Sequence, residues 1–226
     1  MRAIVLAGGL GTRLRSVVSD VPKPMAPVAG RPFLERLLDY WIAEGVSEIA
    51  LAVGYLHEKV RTHFGDAYRG IPITWSVEAT PLGTGGGLVQ AWEMGKGDGP
   101  ALVLNGDTFF EAKLADLTGA LGGAEGVMAV FDAPPSRRYA GIAVDAGGRI
   151  TGVGDGASRL MNGGVYVFAA PFFRAAPAAR PCSLEADWLP QALAAGQALH
   201  AVHVGGRFID IGVPEDYARA AQVLGV

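Results

Sequence analysis

The sequence predicts an α/β fold with a mainly parallel sheet flanked by helices, and three observations carry that expectation. Short apolar runs bounded by glycine alternate with stretches whose apolar residues recur at helical spacing, the pattern left by strands joined through crossover helices. Of 226 residues, 50% are hydrophobic and 18% charged, which suits one compact domain or two halves sharing a core and excludes a disordered chain. The 33 glycines gather at turns between the apolar runs instead of forming a repeat, so those turns are where chemistry is sought.

Residues 2–6 form a short run, continuously apolar after Arg2 and soon stopped by glycine, as in a central strand buried on both faces. Residues 33–44 place Leu34, Leu37, Leu38, Trp41 and Ile42 on one helical face, with Pro32 in the first turn and Gly45 as the stop. Further strands are expected at 48–53, 73–78 and 101–105, with helices near 56–64 and 84–94 between them. After Asp107 the pattern loosens into strand-like runs at 127–132, 141–144, 149–153 and 164–168, then a helix beginning near Ser183 and another at Pro214. This second half reads as a mixed sheet laid beside the first, and residues 169–181 read as a loop with one short helix. Without a linker or repeat, residues 1–226 are expected to form one domain, with a nucleotide half up to about residue 110 and a substrate half at 111–226.

Composition removes several function classes. Nineteen basic against 22 acidic residues leave a net charge of −3, and no Lys/Arg run exceeds Arg137-Arg138, so nucleic acid is not an expected partner. The single cysteine, Cys182, can form neither an internal disulfide nor a Cys-rich zinc site. The apolar run at 3–7 is too short for a signal segment or a membrane span, so a cytoplasmic protein without membrane contact is expected. The four histidines lack His-Glu-x-x-His spacing and no serine sits in a nucleophile elbow, which leaves zinc and serine hydrolases unsupported. Self-association is left open.

The strongest local signal is Leu6-Ala-Gly-Gly-Leu-Gly-Thr-Arg-Leu14, a glycine-rich turn leaving the first strand at its carboxyl end, where open α/β sheets bind ligands. Gly8, Gly9 and Gly11 let backbone N–H groups approach phosphate oxygens, Thr12 adds a hydroxyl, and Arg13 adds a bidentate cation. A dinucleotide fingerprint would need glycine in place of Leu14, and a Walker loop would need Gly-Lys-Ser/Thr, so the turn reads as a triphosphate cradle. In Val21-Pro-Lys-Pro-Met25 two prolines fix the backbone on either side of Lys23 and give its side chain a defined direction.

Glu78-Ala-Thr-Pro-Leu-Gly-Thr-Gly-Gly-Gly87 ends a strand on a carboxylate and opens a helix with glycine. An ionised carboxylate only accepts hydrogen bonds. Guanine offers two adjacent donors on one edge, whereas uracil and thymine offer one donor flanked by acceptors, so Glu78 favours guanine. Asn105-Gly-Asp107 ends another strand at the same sheet edge, and a carboxylate there suits Mg2+, which needs only one or two protein carboxylates plus phosphates. Asp210, after the apolar run ending at Ile209, is the best second carboxylate.

Taken in order, LAGGLGTRL at 6–14, PKPM at 22–25, E-x-x-PLGTGG at 78–86, NGD at 105–107, NGGVYVF at 162–168 and DIGVPEDY at 210–217 resemble the sugar-phosphate nucleotidyltransferase (NDP-sugar pyrophosphorylase) family over nearly the whole chain. Residues 13–28, with Thr108 after NGD, look most like its D-glycero-α-D-manno-heptose 1-phosphate guanylyltransferases. The resemblance implies a Rossmann-like sheet of the nucleotide-diphospho-sugar transferase type. It also implies the reaction of NTP, here GTP, with a sugar 1-phosphate to give NDP-sugar and pyrophosphate, with Mg2+ as cofactor. By that analogy Arg13, Lys23 and Asp107 are catalytic, Arg13 and Lys23 through phosphate contacts. Leu6, Ala7, Gly8, Gly9, Gly11, Thr12, Glu78, Gly83 and Thr84 bind nucleotide, Gly141, Asn162 and Gly163 the sugar phosphate, and Asp107 and Asp210 the metal.

Two departures bear on the substrate. Many relatives carry Glu-Lys-Pro after the strand at 149–153, but residues 152–158 contain no lysine, so either Arg159 or Arg137 replaces it or affinity for the sugar phosphate is reduced. Relatives often have a lysine where Ala186 follows Glu185. The alternatives are therefore mannose 1-phosphate guanylyl-, glucose 1-phosphate thymidylyl- or N-acetylmuramate 1-phosphate uridylyl transfer, or a non-catalytic nucleotide-sensing subunit. Intact Arg13, Lys23, Asp107 and Asp210 speak against the last, and Asn105 in place of a first aspartate speaks against a glycosyltransferase with an Asp-x-Asp motif.

Overall fold

Along the chain run β1 (Arg2–Ala7), a 3-10 turn (Lys23–Met25), β2 (Pro27–Val28), β3 (Arg31–Pro32), α1 (Phe33–Ala43), β4 (Glu48–Val53), α2 (His57–Phe64), β5 (Ala67–Tyr68), β6 (Ile71–Val77) and α3 (Gly83–Glu93). There follow β7 (Ala101–Asn105), β8 (Thr108–Phe110), α4 (Leu114–Leu121), β9 (Gly126–Asp132), β10 (Ile142–Val144), β11 (Ile150–Val153), β12 (Leu160–Phe168) and α5 (Ala170–Arg174). A π-helical turn (Leu184–Trp188), α6 (Leu189–Ala194), β13 (Leu199–His203), β14 (Phe208–Asp210) and α7 (Pro214–Leu224) complete the order. The computed structural model describes residues 1–9, 11, 13–14, 17–18, 20–95, 99–133, 141–154 and 158–226; Thr12 and Arg137 lie outside them.

Eight strands form one mixed, mainly parallel sheet in the order β13-β9-β12-β7-β1-β4-β6-β5. β7, β1, β4 and β6 are mutually parallel. β12 is antiparallel to both β7 and β9, and β13 is parallel to β9. Two antiparallel steps cancel, so β9 and β13 again end at the rim where β1, β4, β6 and β7 end. The second half is thus not a sheet beside the first: β12 pairs directly with β7 and continues it.

Strand alternation sends Ala3, Val5 and Ala7 to one face and Ile4 to the other, and a separate core covers each. On the first face α1 buries Phe33, Leu34, Leu37, Leu38 and Trp41. Each such side chain contributes about 1.5–3 kcal/mol by leaving water. The helix stops in a Schellman motif: Gly45, at φ 104°, donates to Ile42 O at 3.0 Å and Val46 to Trp41 O at 3.0 Å. Pro32 lies just outside α1, not in its first turn, because its backbone is paired with Pro27 in the β2–β3 hairpin. On the second face Tyr166, Phe168, Phe172 and Trp188 form a continuous stack with centroid separations of 5.3, 3.9 and 4.4 Å.

β12 begins four residues earlier than the run at 164–168 indicated. Asn162-Gly-Gly reads as a turn, yet the chain passes through it as an irregularity, with Gly164 at φ 69° and the pairing to β9 shifting register between Asn162 and Tyr166.

Candidate active site

The carboxyl ends of four parallel strands converge on one pocket of about 640 Å³. Residues 6–9 enter it from β1, Gly54 and Tyr55 from β4, residues 78–81 from β6, and Asn105 and Asp107 from β7; Gly83 and Thr84 of α3 and Lys23 and Pro24 complete the wall.

Glu78 has the most closely fitted surroundings. Its Oε2 accepts a hydrogen bond from the Leu82 N–H at 2.9 Å. Its Oε1 lies between two glycines: a Cβ on Gly8 would stand 2.7 Å from it, and a Cβ on Gly87 2.6 Å. Gly8 therefore makes room for a carboxylate as well as opening the loop, and of the three loop glycines only Gly9 faces open space. Burial pushes the Glu78 carboxyl above its ordinary pKa, and the Leu82 N–H partly opposes the shift by stabilising the anion.

The remaining α3 glycines serve packing. Gly85 and Gly86 donate to Cys182 O at 2.8 and 3.2 Å, and a Cβ on Gly83, at φ 73°, would stand 2.8 Å from the Cys182 carbonyl carbon. The first turn of α3 is thus spent on the 182–188 segment. Thr84 extends the junction: its hydroxyl donates to Glu185 Oε2 at 2.9 Å and accepts from Leu184 N at 2.7 Å. Glu185 Oε1 also accepts from the buried Tyr166 hydroxyl at 3.4 Å, which accepts from Asn162 Nδ2 at 2.7 Å. A chain of polar groups therefore joins the pocket wall to β12. The Thr84–Glu185 contact was not legible in the sequence, because nothing local announces a partner 101 positions away.

At the acidic end, Asp107 and Asp210 meet because β14 pairs antiparallel with β8, placing Asp210 opposite Thr108, while Ile211 donates to Asp107 O at 3.0 Å. The Lys23 ammonium hydrogen-bonds Asp107 Oδ2 and lies 3.7 Å from Asp210 Oδ1. Lys23 does have a fixed direction, and here it is toward the two carboxylates. Asn105 Oδ1 is buried nearby with no hydrogen-bond partner among the described residues.

Of the other residues picked out from sequence, Gly11, at φ 59°, sits against Lys23: a Cβ there would be 3.1 Å from the lysine Cβ. Arg13 and Arg159 are exposed, and Leu14 is buried and anchors the loop. Gly141, Asn162 and Gly163 do not line the pocket. Asn162 and Gly141 lie at the amino end of β12, which antiparallel pairing brings to the same rim, Gly141 bridging Met161. A Cβ on Gly163 would strike the Phe110 ring, so glycine there has a packing reason.

A glycine loop, a held carboxylate and an acidic pair thus share the carboxyl rim of one α/β sheet, the edge where open sheets of this kind bind ligands. The model of the nucleotidyl transferase family matches residues 2–225, and the chain belongs to that family as a sugar-phosphate nucleotidyltransferase. It is 38% identical to the D-glycero-alpha-D-manno-heptose 1-phosphate guanylyltransferase of Campylobacter jejuni, covering 96% of this chain and 97% of that one. It is 36% identical to the enzyme of the same name from Aneurinibacillus thermoaerophilus, covering 99% and 98%. The crystal structure of HddC from Yersinia pseudotuberculosis complexed with GMP-PN superposes with a TM-score of 0.84 at 29% identity, covering 98% of both chains. No helix among the described residues is long and apolar enough to cross a membrane.

Proposed function

We propose that the chain transfers GMP from GTP to D-glycero-α-D-manno-heptose 1-phosphate, giving GDP-heptose and pyrophosphate. The observation that carries the choice of base is Glu78: an acceptor-only carboxylate on the pocket wall, held by Leu82 N–H at Oε2, whose remaining lone pairs suit the two adjacent donors of guanine. The relatives named as heptose 1-phosphate guanylyltransferases support the choice of sugar.

The heptose 1-phosphate oxygen attacks the α-phosphorus of GTP, and the bond from that phosphorus to the α,β-bridging oxygen breaks, so pyrophosphate leaves with the electron pair. The attacking oxygen is already anionic near pH 7, the second phosphate pKa being about 6, and no general base is required. The difficulty is bringing one anion onto another, which makes the task one of positioning and charge neutralisation. Gly8 and Gly9 expose backbone amides where the phosphates would lie, Arg13 supplies a cation at the loop, and Gly83 and Thr84 flank the base beside Glu78. Asn162 and Gly141, at the neighbouring stretch of rim, are the proposed sugar-side residues, with Gly163 behind them.

Asp107 and Asp210 would hold Mg2+. Their fit to a cation is visible in the way they share the Lys23 ammonium. Among the described residues no group of three or more His, Cys, Asp and Glu could hold a metal, so two carboxylates would be the protein's share and phosphate and water oxygens the rest, as this ion prefers. Bound there, Mg2+ supplies neutralisation of phosphate charge.

Incubating the purified chain with the heptose 1-phosphate, Mg2+ and each NTP in turn, and measuring pyrophosphate, tests the proposal. Release with GTP is expected. Release with UTP or dTTP but not GTP would overturn the base assignment, and GTP binding without turnover would favour a sensing subunit.

A further inference from the structure

Lys23 stands where a cation belongs. Its ammonium touches Asp107 and lies 3.7 Å from Asp210, and only 10% of its side chain is exposed, against 34% and 16% for the two carboxylates. The position is built, not incidental. Pro24 and Met25 are buried, and the 3-10 turn is closed by Met25 N to Pro22 O at 2.8 Å and Ala26 N to Lys23 O at 3.0 Å. Gly212 leaves the space: a Cβ there would come within 2.9 Å of Nζ and 2.7 Å of Asp210 Oδ1.

Electrostatics gives the arrangement a consequence. Two partly buried carboxylates at one ammonium carry a net charge of about −1, and without the lysine they would repel each other and attract a divalent ion strongly. A lysine there lowers that attraction, because any metal must first displace a partner that is already hydrogen-bonded. The ammonium sits on a flexible four-carbon stem at the pocket wall, so phosphates arriving in the pocket offer it a new anionic partner.

We propose that Lys23 is an internal counter-ion that occupies the metal position of the nucleotide-free enzyme and yields it only when nucleotide phosphates take up its charge. The proposal rests on the assignment of Asp107 and Asp210 to the metal. It makes metal and nucleotide binding mutually dependent, and by linkage each tightens the other by the same factor.

Mn2+ binding to the nucleotide-free chain, read by electron paramagnetic resonance, tests it, with thermal melting as a check on folding. Weak binding is expected in the wild type, binding at least about tenfold tighter in Lys23→Met, and weak binding again in Lys23→Met/Asp210→Asn. Lys23→Gln, which retains much of the stem, replaces Lys23→Met if that variant does not fold. Tight Mn2+ binding by the nucleotide-free wild type, or no tightening in the Lys23 variants, overturns the counter-ion role. A parallel titration with a non-hydrolysable GTP analogue separates the two ideas. If Asp107→Asn and Asp210→Asn weaken Mn2+ uptake there while Lys23→Met changes nothing without nucleotide, only the counter-ion proposal fails. If neither aspartate variant has an effect, the metal assignment itself fails.

Discussion

Gly87→Ala isolates the slot that holds Glu78. Gly87 lies in the interior of α3, where alanine is favoured over glycine by about 0.5–1 kcal/mol, so the change should stabilise the helix taken alone. The obstruction to a Cβ there is the Glu78 carboxylate, with Oε1 at 2.6 Å. Moving that carboxylate sacrifices the Leu82 N–H bond, worth about 1.5–3 kcal/mol for a charged acceptor, partly offset as the carboxylate regains water. Gly87→Ala should therefore destabilise the wild type by roughly 1 kcal/mol and stabilise a Glu78→Ala background by about 0.5–1 kcal/mol. Urea unfolding of the four proteins of this cycle measures the coupling, and kinetics should show the GTP-to-UTP ratio of kcat/KM falling about tenfold in Gly87→Ala. Additivity within about 0.3 kcal/mol, or an unchanged nucleotide ratio, would refute the reasoning.

Glu78→Gln should shrink discrimination between GTP and UTP. Because burial raises the Glu78 pKa, the folded chain keeps this proton to higher pH than the unfolded chain, and the ionised carboxylate lowers stability above the folded pKa. The variant should thus gain stability at pH 8 relative to wild type and lose that advantage toward pH 4; an advantage that instead grew as pH fell would contradict the sign. Gly83→Ala combines a left-handed φ with a backbone obstruction at Cys182, and thermal unfolding should show a loss of about 2–5 kcal/mol; an unchanged Tm would refute it. Arg13→Ala should lower kcat by about 100-fold or more with Tm unaltered, since Arg13 is exposed, and near-normal turnover would remove it from catalysis. Glu185→Ala leaves the buried Tyr166 hydroxyl without its acceptor and should destabilise by about 1–3 kcal/mol in urea unfolding; an unchanged stability would refute it.

The parallel half of the sheet was legible because its strands are buried on both faces and its helices are amphipathic, so both periods are printed in the sequence. β1, β4, β7 and α1 follow that logic almost to the residue. β8 and β14 were not legible: three residues each, they carry no period, and only their pairing brings Asp210 to Asp107. The continuity of β12 with β7 was hidden for a related reason, since the bulge at Gly164 reads locally as a turn. In the site, the glycine loop, Glu78 and Asp107 were visible as residue types at strand ends, and Lys23 as a lysine fixed between two prolines. Which glycine serves which purpose was not: Gly8 and Gly87 make room for a carboxylate, and Gly83, Gly85 and Gly86 for a segment about 100 residues away. Those are properties of three-dimensional neighbours.

The most direct measurement of the account is a crystal structure with a non-hydrolysable GTP analogue and Mg2+. Guanine should lie against Glu78 and Gly83, the phosphates along Gly8 and Gly9, and the metal on Asp107 and Asp210 with Lys23 turned away from them. A base remote from Glu78, or phosphorus atoms away from the carboxyl rim of β1 and β7, would contradict it.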